Sequence, residues 1–373
     1  MLKFADVSYF QHKAFDNLSA VLKTIDLSLV YLNSLKQHAD IQVIQHGIPK
    51  EEINRHGVKF TGFPGGSSFF HIPVKAHKQL KQFNPDVVLV QGLIFPVQTW
   101  LLRRALGPQV VILVQHHGES PFVSNLKWFF QRLADKAIDG YLFTAKGNAE
   151  QWVRAGVISN ISKVYEVLEC STQLRPRDKE ESKKKLDMSG QFNFLSVGRL
   201  NAGKDPLTVL EGFEQFLSQQ PGAKLYMIYQ TEELLGQIKE RLAASKTLKD
   251  AVRLIGKVPH SELATWYSAA DFFISGSHHE GSGYALIEAM ACGCIPVVTR
   301  IPSFGAITGY GKYAFNFEAG NAAGLAKTLS SLQTVNKQEL SQKLMQHFNS
   351  ELSFNKIADD ILKIATELRR TKG

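Results

Sequence analysis

The stretch "DFFISGSHHEGSGYALIEAMACGCIPVVTR", residues 271–300, reads as strand, turn, helix and second strand in immediate succession. DFFISGS is an apolar, β-prone run that predicts a strand buried on both faces. GYALIEAMACG is built of helix formers, and IPVVTR is again strand-like. Such a unit implies two parallel strands joined by a helix. Gly281 and Gly283 in the turn let the backbone come close to a ligand. The helix start offers unpaired N–H groups and partial positive charge, which together suit a phosphate. Glu280 stands at the mouth. Glu288 is the sole charge in an apolar helix, predicted six residues in and about 9 Å along its axis. A carboxylate placed there needs donors. A ligand's hydroxyls are one source; a neighbouring backbone group or cation is the other.

The same rhythm runs outward in both directions. Residues 192–198, 224–230, 252–258, 271–277 and 295–300 read as strands in the second half. Residues 41–47, 85–92, 109–118 and 140–145 do so in the first, with helical patterns between them. Near-continuous apolar strands alternating with helices predict parallel sheets covered on both faces. The polar segment "RPRDKEESKKKLDMSG", 175–190, reads as a solvated linker running into an exposed helix. The chain is therefore expected to be α/β, with two doubly wound domains of residues 1–172 and 173–354 facing each other across a cleft. Ligands of open parallel sheets bind beyond the carboxyl ends of the strands.

Bulk properties narrow the classes. The 373 residues exceed what one core usually serves, and 44% apolar with 21% charged residues is ordinary for a globular protein. The most apolar stretch, "VVLVQGLIFPVQTWLL", is broken by Gln91, Pro96 and Gln98, so no bilayer span is expected. Asp6 sits where a signal peptide needs its apolar centre, so the N-terminus reads as the first strand of a cytoplasmic protein. Cys170, Cys292 and Cys294 make no disulfide or metal framework. The net charge of +9 suits an anionic partner. It is spread over both halves, and no nucleic-acid motif accompanies it, so nucleic acid is not an expected partner.

"FLSVGRLNAGKDP", 194–206, ends a strand with Gly198, Arg199 and, five positions later, Lys204. A diphosphate calls for a planar bidentate cation and a mobile point charge, and this pair supplies both. Taken singly, each would more often be an ordinary surface cation. Set beside the EGSG helix mouth, they suggest a nucleotide diphosphate-sugar. Its phosphates would lie at the mouth, with one carboxylate on the sugar and the other on the ribose.

The motif "VGRL…GKDP" followed by "HHEGSGYALIEAMACGCIPVV" resembles the retaining nucleotide-sugar glycosyltransferases of family 4, whose fold is GT-B. The resemblance is strong over 192–332 and weaker over "NPDVVLVQG", "VQHHGE" and the closing "LSFNKIADDILKIATELRR". It implies that Arg199 and Lys204 hold the donor diphosphate. It also implies that Glu280 binds the transferred sugar, that the turn Gly281, Ser282, Gly283 and Tyr284 binds phosphate, and that Glu288 binds ribose. It implies His117 as the residue reaching the donor sugar, and a C-terminal helix, about 355–373, crossing back onto the first domain. Retention by same-face attack follows from the resemblance, with no cofactor and no obligate metal. The pairs His116–His117 and His278–His279 are not expected to chelate, because adjacent strand residues point to opposite faces.

Three departures bear on the acceptor. The glycine-rich loop expected after the first strand is replaced by "SYFQHKAFDN". "IYQTEE" and "ECSTQL" stand where the family has other signatures. A saccharide or lipid-linked acceptor is expected, in surface polysaccharide, lipopolysaccharide or glycolipid synthesis. In "NLKWFFQRLADK", 125–136, Leu126, Phe129, Phe130 and Leu133 follow the spacing of a core face. Lys127, Arg132 and Lys136 leave open a peripheral contact with an anionic membrane. A non-catalytic nucleotide-sugar or polysaccharide-binding protein is the alternative. A dinucleotide oxidoreductase would want G-x-G-x-x-G after the first strand, which the chain lacks.

Overall fold

A computed structural model describes residues 1–11, 15–25, 29–66 and 68–372. His12, Lys13 and Ala14 of the unusual "SYFQHKAFDN" stretch thus lie outside the described residues. The chain divides into two compact units, one of residues 1–171 with 354–373, the other of residues 172–353.

The first unit contains eight strands: β1 (Leu2–Ser8), β2 (Ala39–His46), β3 (Glu52–Arg55), β4 (Val58–Phe63), β5 (Val87–Gln91), β6 (Val111–Gln115), β7 (Gly140–Phe143) and β8 (Val164–Glu166). They form one sheet in the order β3-β4-β2-β1-β5-β6-β7-β8, parallel except for the β3–β4 pair. Period-2 alternation sends neighbouring side chains to opposite faces. Val87, Leu89, Val111 and Leu113 enter one core, while Val88, Val90, Ile112 and Val114 enter the other. The sheet is therefore covered on both sides, as its apolar strands require. β3, β4 and β8 are short or peripheral and carry no continuous apolar run, so they were not legible from pattern. His56 and Gly57, both at positive φ, make the two-residue turn between β3 and β4.

The helix Phe354–Arg370 closes one of these cores. It buries Phe354, Ile357, Ile361, Ile364 and Ala365 against β1, β2, β5 and β6 residues of the first unit. Lys356 pairs with Asp360 one turn on, and Arg369 with Asp86 at the sheet.

The helix Asn125–Asp135 departs from its sequence reading. Leu126 and Phe129, expected in the core, are 57% and 55% exposed, whereas Gln131, Ala134 and Asp135 are buried. The polar side chains are satisfied inside. Asp135 accepts from Tyr141 (2.9 Å) and Ser159 (2.5 Å), and Gln131 accepts from the Phe122 N–H (2.9 Å). Internal donors outweighed hydrophobic spacing.

The second unit holds β9 (Phe192–Gly198), β10 (Ala223–Tyr229), β11 (Val252–Gly256), β12 (Phe272–Ser275), β13 (Ile295–Thr299) and β14 (Phe315–Phe317). All run parallel in the order β11-β10-β9-β12-β13-β14. Chain order reverses between β9 and β12, so a crevice is expected at their carboxyl ends. Phe194 anchors the interior, with Phe272 stacked at 5.2 Å and Phe213 edge-on at 5.6 Å. The charged linker is not merely solvated. The helix Lys179–Leu186 sends Lys179 to buried Asp271 (2.8 Å), which also accepts from the Asn193 N–H (2.9 Å). Although burial opposes ionisation of Asp271, Lys179, the Asn193 N–H and Lys337 hold its carboxyl below the usual range.

Ile361→Ala should destabilise the protein by about 2–5 kcal/mol, the usual cost of emptying a packed aliphatic site, read as a lower urea midpoint. A change under about 0.5 kcal/mol would mean that the C-terminal helix does not complete that core in solution.

Candidate functional site

At the β9/β12 reversal lies a cavity of about 390 Å³ lined by Arg199, Lys204, Glu280, Ser282, Tyr284 and Glu288, among others. Gly198 ends β9 and Arg199 follows it, exposed. Lys204 is fixed by a tight turn, its N–H bonded to the side chain of Asn201 (3.1 Å). Asp205 then adopts a left-handed conformation (φ 46°) and caps the helix Pro206–Leu217 by accepting from the Thr208 N–H (3.1 Å). The two loops are pressed together, for a Cβ on Gly276 would come within 2.8 Å of the Asp205 carbonyl.

Glu280 occupies the mouth. It accepts from Lys204 Nζ in an ion pair and from Ser277 Oγ (2.7 Å), while Ser303 donates to its carbonyl. Gly283 starts the helix Tyr284–Ala291 at φ 63°, and a Cβ there would sit 2.5 Å from Ile307 Cδ1. Glycine is required at that position on both counts. Ser282, Gly283 and Tyr284 line the cavity; Gly281 belongs to the same turn but not to the wall.

Glu288 is closer to the mouth than expected, in the fifth helical position and about 6 Å along the axis from Tyr284. It is only 2% exposed. Its donors are in the protein: His260 Nε2 at 2.5 Å on one oxygen and Tyr267 Oη at 3.1 Å on the other. The charge thus has donors within the protein, the second of the two sources the sequence leaves open. A carboxylate has about four acceptor sites, so room for further donors remains. The hydrogen bond that His260 donates to Glu288 raises the pKa of His260 above the ordinary imidazole value, against the effect of burial. One sequence signal marks His260: it follows the end of β11, and residues beyond strand ends are where ligands of open parallel sheets bind.

His117 lies in the first unit, in a separate cavity of about 310 Å³ that also touches Asp6, Gln91, Glu169 and Ile361. Both ring nitrogens are engaged, Nδ1 with Glu169 (2.5 Å) and Nε2 with Gln91 Oε1 (2.8 Å). Gln91 in turn donates to Asp6 (2.7 Å), which Tyr31 also reaches. Two acceptors on one imidazole favour its doubly protonated form. Burial alone would depress the pKa of His117, but the Glu169 hydrogen bond and the charges of Glu169, Glu119 and Asp6 raise it. Desolvation pushes the Asp6 carboxyl up to about 6, in spite of the Tyr31 and Gln91 hydrogen bonds. His116 is a core residue, stacked on Phe143 at 4.4 Å and bonded to the Glu119 carbonyl (3.0 Å). Among the described residues, no group of three His, Cys, Asp or Glu is placed to hold a metal ion.

Residues 178–347 match the family described as glycosyl transferases group 1. That match spans most of the second unit. The whole chain superposes on sucrose-phosphate synthase from Thermosynechococcus elongatus with a TM-score of 0.70, at 16% identity and covering 100% of both chains. The fold is GT-B. Over 186 residues the chain is 29% identical to alpha-monoglucosyldiacylglycerol synthase of Streptococcus pneumoniae, covering 46% of this chain and 40% of that protein. Over 300 residues it is 24% identical to GDP-mannose:cellobiosyl-diphosphopolyprenol alpha-mannosyltransferase of Xanthomonas campestris, covering 79% and 73%. It thus spans less than half the length of the first relative.

Glu288→Gln should bring the titration of His260 down towards about 6.5, followed by imidazole NMR. An unchanged midpoint would mean that the pair does not form. Because the folded pKa is raised, the pair's contribution is fully present below about 6.5 and fades as pH climbs through the folded His260 value.

Proposed function

We propose that this protein transfers a sugar from a nucleotide diphosphate-sugar to a saccharide or lipid-linked acceptor, with retention of anomeric configuration. The observation that carries this reading is the convergence of Arg199, Lys204, Glu280, Glu288 and a glycine-started helix on one cavity. Arg199 and Lys204 would neutralise the diphosphate, and the N–H groups of Ser282, Gly283 and Tyr284 would bind its oxygens. Glu288, oriented by His260 and Tyr267, would accept from the ribose. Glu280 would accept from sugar hydroxyls once the phosphates draw Lys204 away. His117, held as a donor by Glu169 and Gln91, would serve the sugar after exchanging its Gln91 contact.

In the proposed step the acceptor hydroxyl attacks the anomeric carbon from the face that the leaving group departs. The bond from that carbon to phosphate oxygen breaks, the bond to the acceptor oxygen forms, and the acceptor's proton passes to the departing phosphate. Positive groups and helix N–H donors set in advance around that phosphate would supply most of the rate enhancement. Two cations and the helix mouth give the charge neutralisation the leaving group needs, so the reaction is assigned no obligate metal. The names of the two relatives point to lipid-borne acceptors, in glycolipid or polysaccharide synthesis. The cytoplasm is the proposed compartment.

Titration calorimetry with UDP, GDP and a panel of their sugars tests the reading. Lys204→Ala should weaken donor binding about tenfold or more, the worth of a charge-assisted contact. Glu288→Ala should weaken bare nucleotide, whereas Glu280→Ala should leave it equal or tighter, by freeing Lys204, and lower turnover. Donor affinity unmoved by Lys204→Ala would remove the diphosphate assignment.

A further inference from the structure

Nine large apolar side chains are exposed among the described residues, and six of them belong to two segments of the first unit. Phe70, Ile72 and Val74 lie on the approach to the helix Val74–Phe83; Val123, Leu126 and Phe129 lie at the start of Asn125–Asp135. The segments meet through aromatic rings. Phe69 contacts Phe122 at 5.7 Å and Phe130 at 6.1 Å, and Phe70 contacts Phe130 at 5.4 Å. Together they form one apolar ridge.

Its surroundings are basic. Lys127 lies over the rings of Phe69 (5.6 Å) and Phe122 (5.4 Å), and Arg132 over Trp128 (4.9 Å). Arg104 lies over Trp100 (4.5 Å), while Lys75 and Lys78 are exposed on the first helix. The helices Val74–Phe83, Pro96–Leu106 and Asn125–Asp135 carry a single acidic residue, Asp135, which is buried and bonded inside. Apolar and aromatic side chains ringed by cations with long stems match an anionic lipid headgroup layer over acyl chains.

We propose that this ridge docks the protein on an anionic lipid bilayer. A second copy of the chain fits less well, since a two-fold contact would set these cations against themselves. A cavity of about 320 Å³ opens beside the ridge, sharing Phe69, Phe122 and Lys127 with it and adding His46, His71 and Gln98. Resting on the proposed function, this cavity is where the polar head of a membrane-held acceptor would enter. Docking itself requires no sugar chemistry.

Flotation of the full chain with vesicles, without donor or acceptor, decides the matter. Phosphatidylcholine vesicles with about a third phosphatidylglycerol should carry the protein upward at low salt. Pure phosphatidylcholine should carry less, and salt well above about 0.1 M should release it. The double variant Phe70→Ser, Phe129→Ser should lower partitioning about tenfold or more. Lys127→Gln with Arg132→Gln should abolish the preference for anionic vesicles, and Ile161→Ser, an exposed change elsewhere, should alter nothing. The proposal is overturned if the wild type does not float with anionic vesicles, or if the Phe70, Phe129 variant floats like it. It is equally overturned if that variant instead converts a dimer to monomer in sedimentation. Nucleotide binding by the same variants should match the wild type; absence of nucleotide binding in every form would count against the transferase reading alone.

Discussion

An ion pair between Lys204 and Glu280 ties the loop after β9 to the loop after β12. Those strands flank the reversal in strand order, so the pair sits where the sheet opens a crevice. The constraint extends to the backbone. Gly276 lets the loops touch, Asp205 turns one loop into a capped helix, and Gly283 starts another helix facing the same space. The charges that would meet a diphosphate are thereby held before one arrives, and binding would exchange one partner of Lys204 for another.

A second rule runs through both units: a buried charge keeps a partner. Glu288 has His260 and Tyr267, Asp271 has Lys179 and the Asn193 N–H, and Asp6 has Tyr31 and Gln91. Leaving any of these unpaired would cost several kcal/mol. His117 has both ring nitrogens aimed at acceptors lining a cavity. The charges of Glu169, Glu119 and Asp6 all favour its protonated form, and Glu169 among them belongs to no sequence motif.

The first unit joins a sheet sealed on both faces to an outer surface left partly apolar. One face is closed by the chain's own last helix. On the other face the helix Asn125–Asp135 turns Gln131 and Asp135 inward and Leu126 and Phe129 outward. In Asn125–Asp135 the exposed side thus carries Leu126 and Phe129 beside Lys127 and Arg132, an apolar and basic surface rather than a purely polar one.

Much of this was written in the linear pattern. Apolar runs alternating with helical spacing announced two parallel α/β units, and "VGRL…GKDP" with the E-x7-E segment marked the turns that line the cavity, because strand ends, glycine turns and helix starts are local features. Short peripheral strands such as β3 and β14 escaped, having too few residues to show a period. The partners of Glu288 and His117 also escaped. His260 and Tyr267 are 28 and 21 residues from Glu288, and Glu169 is 52 from His117. Contacts over such separations are set by how the sheets twist and stack. The outward turn of Leu126 and Phe129 belongs here too, since spacing says that a helix has two faces, and only the satisfaction of Gln131 and Asp135 in three dimensions decides which one is buried.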